Sequence, residues 1–126
     1  MKLHSIMEVR GELLLVVFCG EWSFNEAWDL LKQTYDAALE ERVNLIMVDT
    51  LAVEGKLTTF DRYRLGTETV AHFRSRHMHP RIALVGKPPA ADGFGVLVAK
   101  NRWVDAEMFS DRPEALNWLG LGKTEP

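Results

Sequence analysis

Two hydrophobic periods alternate along the chain, and their order predicts five strands and four helices. Lys2 to Val9 and Glu12 to Cys19 read as strands joined through Arg10 and Gly11, where glycine supplies the positive φ of a tight hairpin. Leu13 to Phe18 is apolar without alternation, the mark of a central strand covered on both faces. Ser23 and Glu26 have capping-box spacing and open a helix. Phe24, Ala27, Trp28, Leu31, Tyr35, Ala38 and Leu39 fall on one of its faces. Val43 to Asp49 is a second central strand, and Thr50 to Leu57 reads as a loop containing Gly55. Thr58 or Thr59 caps a second helix running toward His77 and stopping before Pro80. Phe60, Tyr63, Thr67 and Val70 form its expected inner face, with Gly66 at the edge permitting close approach of a neighbouring backbone and Leu65 on the outer side. Arg81 to Gly86 is a strand, Ala90 to Trp103 a helix weakened by Gly93 and Gly95, and Val104 to Phe109 the last strand. Ser110 or Asp111 caps a final helix with Pro113 in its first turn.

This order implies an α/β fold: a mixed, mostly parallel five-stranded sheet with four helices and right-handed β-α winding. Strands added in sequential order would place every crossover helix on one side and leave an apolar face to be covered, whereas a reversal of strand order would cover both faces and remove the surplus; the sequence is compatible with either. A homodimer, or a pocket for an apolar small molecule, would absorb that surplus. Leu65 adds to it.

The 126 residues suit one domain, read as residues 1–120 followed by a short tail, 121–126. A chain of this size hides roughly two-thirds of its unfolded surface, enough for its own core. A single cysteine, Cys19, excludes an internal disulfide and fits a reducing compartment. The formal net charge of −3 gives no general attraction to nucleic acid. No apolar run approaches the roughly 20 residues that span a bilayer, and the opening residues show no signal-peptide pattern, so a cytoplasmic location is expected.

The chemistry-bearing residues assemble into no catalytic set. His77 and His79, with His72 nearby, lack the further ligands a metal requires, so neither a metal nor a cofactor is expected. Cys19 ends an apolar strand, where a small thiol packs as a hydrophobe. Gly86-Lys87-Pro88-Pro89 and Gly93-Phe94-Gly95 match no phosphate-binding loop. Asp49 ends a central strand, where open α/β sheets place ligands, but its neighbours suggest that it accepts N–H bonds from the following loop. Charge is uneven. Residues 62–81 hold five arginines against Glu68, whereas residues 1–61 carry five basic and eleven acidic side chains. A ladder of Arg64, Glu68, His72 and Arg76 at i,i+4 spacing explains the basic stretch as a solvated helix face; an acidic partner is the alternative. The loops after the parallel strands, with Gly20, Glu21, Asp49, Thr50, Gly86, Lys87 and Ser110, form the expected binding rim, because helix N-termini gather there.

The chain resembles the SpoIIAA-like proteins of the STAS superfamily. The resemblance is carried by the opening hairpin, Val43 to Asp49 as a strand ending in Asp, Phe60-Asp61-Arg62, Arg81 to Gly86, and Val104 to Phe109 leading into Glu114 to Leu119. It implies a cytoplasmic regulatory or protein-binding domain without a catalytic centre. It also implies a phosphoacceptor at the start of the second helix, where the family's Asp-Ser-Ser is replaced by Leu57-Thr58-Thr59. A similarity in shape to CRAL-TRIO domains implies, as the alternative, a carrier or sensor of a small apolar ligand or lipid.

Overall fold

A computed structural model describes residues 1–122. The elements run β1 (His4–Arg10), β2 (Leu13–Glu21), α1 (Phe24–Glu41), β3 (Leu45–Glu54), α2 (Thr59–Arg76), β4 (Arg81–Val85), α3 (Phe94–Lys100), β5 (Asp105–Phe109) and α4 (Arg112–Trp118). The sheet order is β1-β2-β3-β4-β5, with β1 antiparallel to β2 and the other pairs parallel.

Sequential order and right-handed crossovers put α1, α2 and α3 on one face. There Leu14, Val16, Phe18, Ile46 and Val48 meet Ala27, Tyr35, Ala38 and Phe73. The opposite face is covered too. The fourth helix is not a crossover, so its side is unconstrained by handedness. It folds back beneath β4 and β5, where Ala115 and Leu119 close over Leu15, Met47, Ala83 and Val85. The apolar surplus is thus largely absorbed within one chain. Leu121 packs into the same cluster; residues 123–126 of the expected tail lie outside the described residues.

Several local expectations are corrected. The third strand continues through the expected loop to Glu54, because Ala52, Val53 and Glu54 pair with Cys19, Gly20 and Glu21 after a register shift between Val17 and Cys19. Ser23 caps α1 through its backbone alone; Glu26 instead accepts the N–H of Leu3 at 3.2 Å, so no capping box forms. Leu39 is exposed. The third helix begins only at Phe94, after Gly93 in the left-handed region. On α2, Phe60 and Tyr63 face solvent, whereas Leu65, Gly66, Thr69 and Phe73 face inward. This helix lies between α1 and α3, so its contact surface spans two stripes. A Cβ on Gly66 would sit 2.7 Å from the Gly95 carbonyl oxygen, the close approach its position suggested.

Candidate functional site

The carboxyl ends of β2 to β5 and the starts of the helices that follow gather at one end of the sheet. Of the expected rim, Glu21, Lys87 and Ser110 reach the surface, while Gly20, Asp49, Thr50 and Gly86 lie buried beneath it. Each buried residue has a structural tie. Asp49 accepts the Leu51 N–H at 2.9 Å, as expected, and the Arg112 Nε–H at 2.6 Å, anchoring α4. The Thr50 hydroxyl donates to the Val85 carbonyl at 2.8 Å. A Cβ on Gly86 would lie 2.5 Å from that hydroxyl oxygen. Glu21 pairs with the terminal amine of Met1 at 2.7 Å; the contact lowers the Glu21 carboxyl and raises the amine from their ordinary values.

The start of α2 is also accessible at this end. Thr58 is the N-cap, in extended backbone, and its hydroxyl accepts the Asp61 N–H at 3.0 Å. Leu57 is buried and pins the loop; Thr58 and Thr59 are exposed. Beside them Phe60 is 66% exposed and Tyr63 40%. The Arg64 guanidinium lies over the rings of Phe24, 3.9 Å from its centroid, and of Phe60, at 5.8 Å. The expected i,i+4 ladder does not form, because Arg64 takes aromatic partners and both His72 and Arg76 turn to Asp36 on α1, at 2.9 and 3.1 Å.

Behind this face lies a feature the sequence did not reveal: an apolar cavity of about 120 Å³ between the sheet and α1, α2 and α3. Phe18, Leu31, Leu65, Ile82, Leu84 and Val96 line it. At its mouth Arg62 bonds the Asp92 carboxylate at 2.6 Å and the Pro89 carbonyl at 2.7 Å, and the Trp22 indole N–H donates to the Ala90 carbonyl at 2.7 Å. The only local signal was the pair of glycines, Gly66 and Gly95, that lets α2 and α3 cross closely. Among the described residues no group of three His, Cys, Asp or Glu could hold a metal ion, and no helix is long and apolar enough to cross a membrane. Cys19 is partly buried with a free thiol.

No family model matches the chain, and no curated protein is similar to it in sequence. Among solved structures it is similar to an anti-sigma factor antagonist from Mycobacterium paratuberculosis, at 16% identity and a TM-score of 0.65 over 94% of this chain and 95% of that one. It is also similar to an uncharacterised protein from Shewanella loihica PV-4 described as having a SpoIIAA-like fold, at 16% identity and a TM-score of 0.51 over 93% of each. The chain has the SpoIIAA-like fold. At this identity the likeness is one of architecture, and it agrees with the strand-helix order and five-stranded mixed sheet expected from the residues.

One buried group gives the SpoIIAA-like core a pH signature. Burial pushes the Tyr35 phenol up to about 12, against the weaker opposing effect of its 3.0 Å hydrogen bond to Thr69. The folded state therefore holds the phenolic proton where the unfolded chain, near 10, releases it. Stability falls as pH rises from about 10 and is fully reduced above about 12, by about 3 kcal/mol at most. Urea melts near pH 9 and 11.5 should show this loss in the wild type and a shallower one in Tyr35→Phe. Parallel slopes in the two proteins would reject it.

Proposed function

We propose that this chain is a non-enzymatic regulatory module of the cytoplasm that docks a protein partner on the face formed by Thr58, Thr59, Phe60 and Tyr63, and that phosphate on Thr58 or Thr59 switches that docking. The carrying observation is the juxtaposition of two exposed hydroxyls at the start of an 18-residue helix with an unburied Phe60 ring. A helix N-terminus favours a dianionic group by its free N–H donors and dipole, although Asp61 in the first turn opposes part of this. The same charge beside Phe60 would convert an apolar docking face into an anionic one. The fold shared with an anti-sigma factor antagonist supports the reading.

Phosphopeptide mapping of the protein isolated from its own cells tests the switch, with phosphate on Thr58 or Thr59 as the expected result. An unmodified peptide across growth conditions would remove it. Thr58→Ala should cost about 1 kcal/mol by losing the cap, whereas Thr58→Asp should keep the helix, since Asp caps equally well while adding charge. The pair therefore separates folding from switching.

The cavity favours a second reading, a carrier or sensor of a small apolar ligand. An apolar cavity of roughly 150 Å³ accommodates benzene, so the space here suits an aromatic ring or a short acyl segment. Native mass spectrometry of freshly purified protein, with organic extraction, reports a retained ligand; an empty monomer with no thermal shift on adding indole counts against it. The same spectra report the homodimer. Its structural support is reduced to the open edge of β1, where Ile6 and Val9 are exposed, since Leu65 is packed inward.

A further inference from the structure

The arginines of residues 62–81 separate cleanly in the fold. Arg62 pairs with Asp92, Arg76 with Asp36 and Arg81 with Asp105, while Arg64 lies over Phe24. Arg74 alone has no side-chain partner among the described residues, and it opens into a groove at the opposite end of α2 from Thr58. The groove, of about 400 Å³, has a floor containing Val70, Phe73 and Met78, all buried. Its walls carry Arg74, His77, His79 and Arg102. The one carboxylate there, Asp105, is engaged by the Arg81 Nε–H at 2.9 Å. The ends of α2 and α3 contribute about half a negative elementary charge each, which against Arg74 and Arg102 leaves about one positive charge in excess. Arg102 is held in place by a 3.0 Å bond from Nη1 to the Val98 carbonyl.

Trp103 stands at the rim. It is 93% exposed, and its backbone is left-handed with φ 74°. Its N–H reaches the Lys100 carbonyl and that of Val104 the Ala99 carbonyl, which makes Trp103 the residue just past α3 that is usually glycine. A bulky residue in that conformation is an outlier, and here it leaves a large indole in water. Folding supplies no reason for tryptophan at this position. Tryptophan and arginine beside an apolar floor are the residue types that dominate binding energy at protein interfaces.

We propose that this groove is a second docking surface, distinct from the Thr58 face, which takes an extended acidic segment of a protein partner, with Trp103 as apolar anchor and Arg74 and Arg102 as the anion contacts. Charge complementarity selects the acidic segment, and the apolar floor calls for hydrophobic side chains within it.

The test uses the full chain and a fluorescein-labelled peptide of alternating Glu and Leu, followed by anisotropy. Binding is expected for this peptide, weakening with added salt, and absent for the counterpart with Gln in place of Glu. Trp103→Gly and Arg74→Gln should each weaken it by about tenfold, or 1.4 kcal/mol. Trp103→Gly should also melt no lower than the wild type, because glycine relieves the left-handed backbone. That excludes misfolding as the cause of lost binding. Failure of the Glu peptide to bind at millimolar concentration, equal binding of the Gln peptide, or unchanged affinity in Trp103→Gly would each overturn the proposal. So would binding to phosphatidylserine vesicles without binding to the peptide.

Discussion

Phe18→Ala should destabilise the protein by about 3–5 kcal/mol, the range for buried aromatic deletions. Phe18 is 1% exposed and among the largest fully buried side chains, on a central strand that cannot shift without breaking ladders on both sides. It meets Trp22 edge-on, with centroids 6.3 Å apart. It also lines the cavity, so the deleted ring enlarges a space already present, and the surrounding β-ladders resist collapse. Such a loss approaches the whole stability of a marginal domain. Urea titration followed by far-UV circular dichroism gives the value. Benzene should recover part of it in the variant, since a ligand at a hundred times its Kd adds about 2.7 kcal/mol. A midpoint close to wild type, with no benzene response, would show that the site collapses and that the cavity is not a persistent feature.

The winding was legible because strands that are apolar throughout and helices with one apolar stripe obey different periods, and those periods alternate cleanly from Leu13 to Leu119. The exceptions on α2 share one cause: Phe60, Tyr63, Thr67 and Val70 suggest a single inner stripe, whereas the helix packs against both α1 and α3. On α2 the close contacts are made through Gly66 and Thr69 and through a buried His72, none of which registers as apolar. Phe60 and Tyr63, which do register, lie outside. The polar-looking segment after Asp49 hid a strand extension whose evidence is a backbone ladder to Cys19, Gly20 and Glu21. The placement of α4 had no handedness rule to fix it, because among the described residues it follows the last strand of the sheet rather than linking two strands. The Thr58 position was readable from capping chemistry. The cavity and the Trp103 groove were not, since both arise from elements distant in sequence.

The geometry of α2 links the two proposed docking faces. The 18 residues of α2, at 1.5 Å rise, make a helix roughly 27 Å long, with the caps Thr58 and His77 at its opposite ends. That separation exceeds the Debye length of about 8 Å at physiological salt, so charge added at Thr58 is screened from Arg74 and His77 at the far end of the groove. The two surfaces meet where the Arg102 guanidinium lies 5.6 Å from the centroid of the Tyr63 ring; Thr58→Asp leaves both of those side chains in place and should leave the affinity of the acidic peptide unchanged.

Gly20→Ala should cost about 3–4 kcal/mol, far more than a methyl group usually does at a strand end. Two separate effects combine. Gly20 has φ +110°, a conformation that L side chains rarely adopt, worth about 1–3 kcal/mol of strain. An added Cβ would also lie 2.5 Å from the Lys2 carbonyl oxygen and 3.0 Å from the Leu3 Cα, so the first residues of the chain must move, an overpacking cost of about 1–3 kcal/mol. Retreat is resisted. Leu3 is 3% exposed and its N–H donates to Glu26, while the Glu21 N–H donates to the Met1 carbonyl at 3.0 Å. Gly11 separates the two effects, since it has φ +58° but nothing within 4 Å of an added Cβ. Gly11→Ala should lose only the conformational part, about 1 kcal/mol. Hydrogen exchange distinguishes the variants further: the amides of Leu3 and Glu21 should lose protection in Gly20→Ala and keep it in Gly11→Ala. Equal losses of stability in the two variants, with Leu3 still protected, would show that the amino-terminal segment yields freely and that Gly20 is required for its backbone conformation alone.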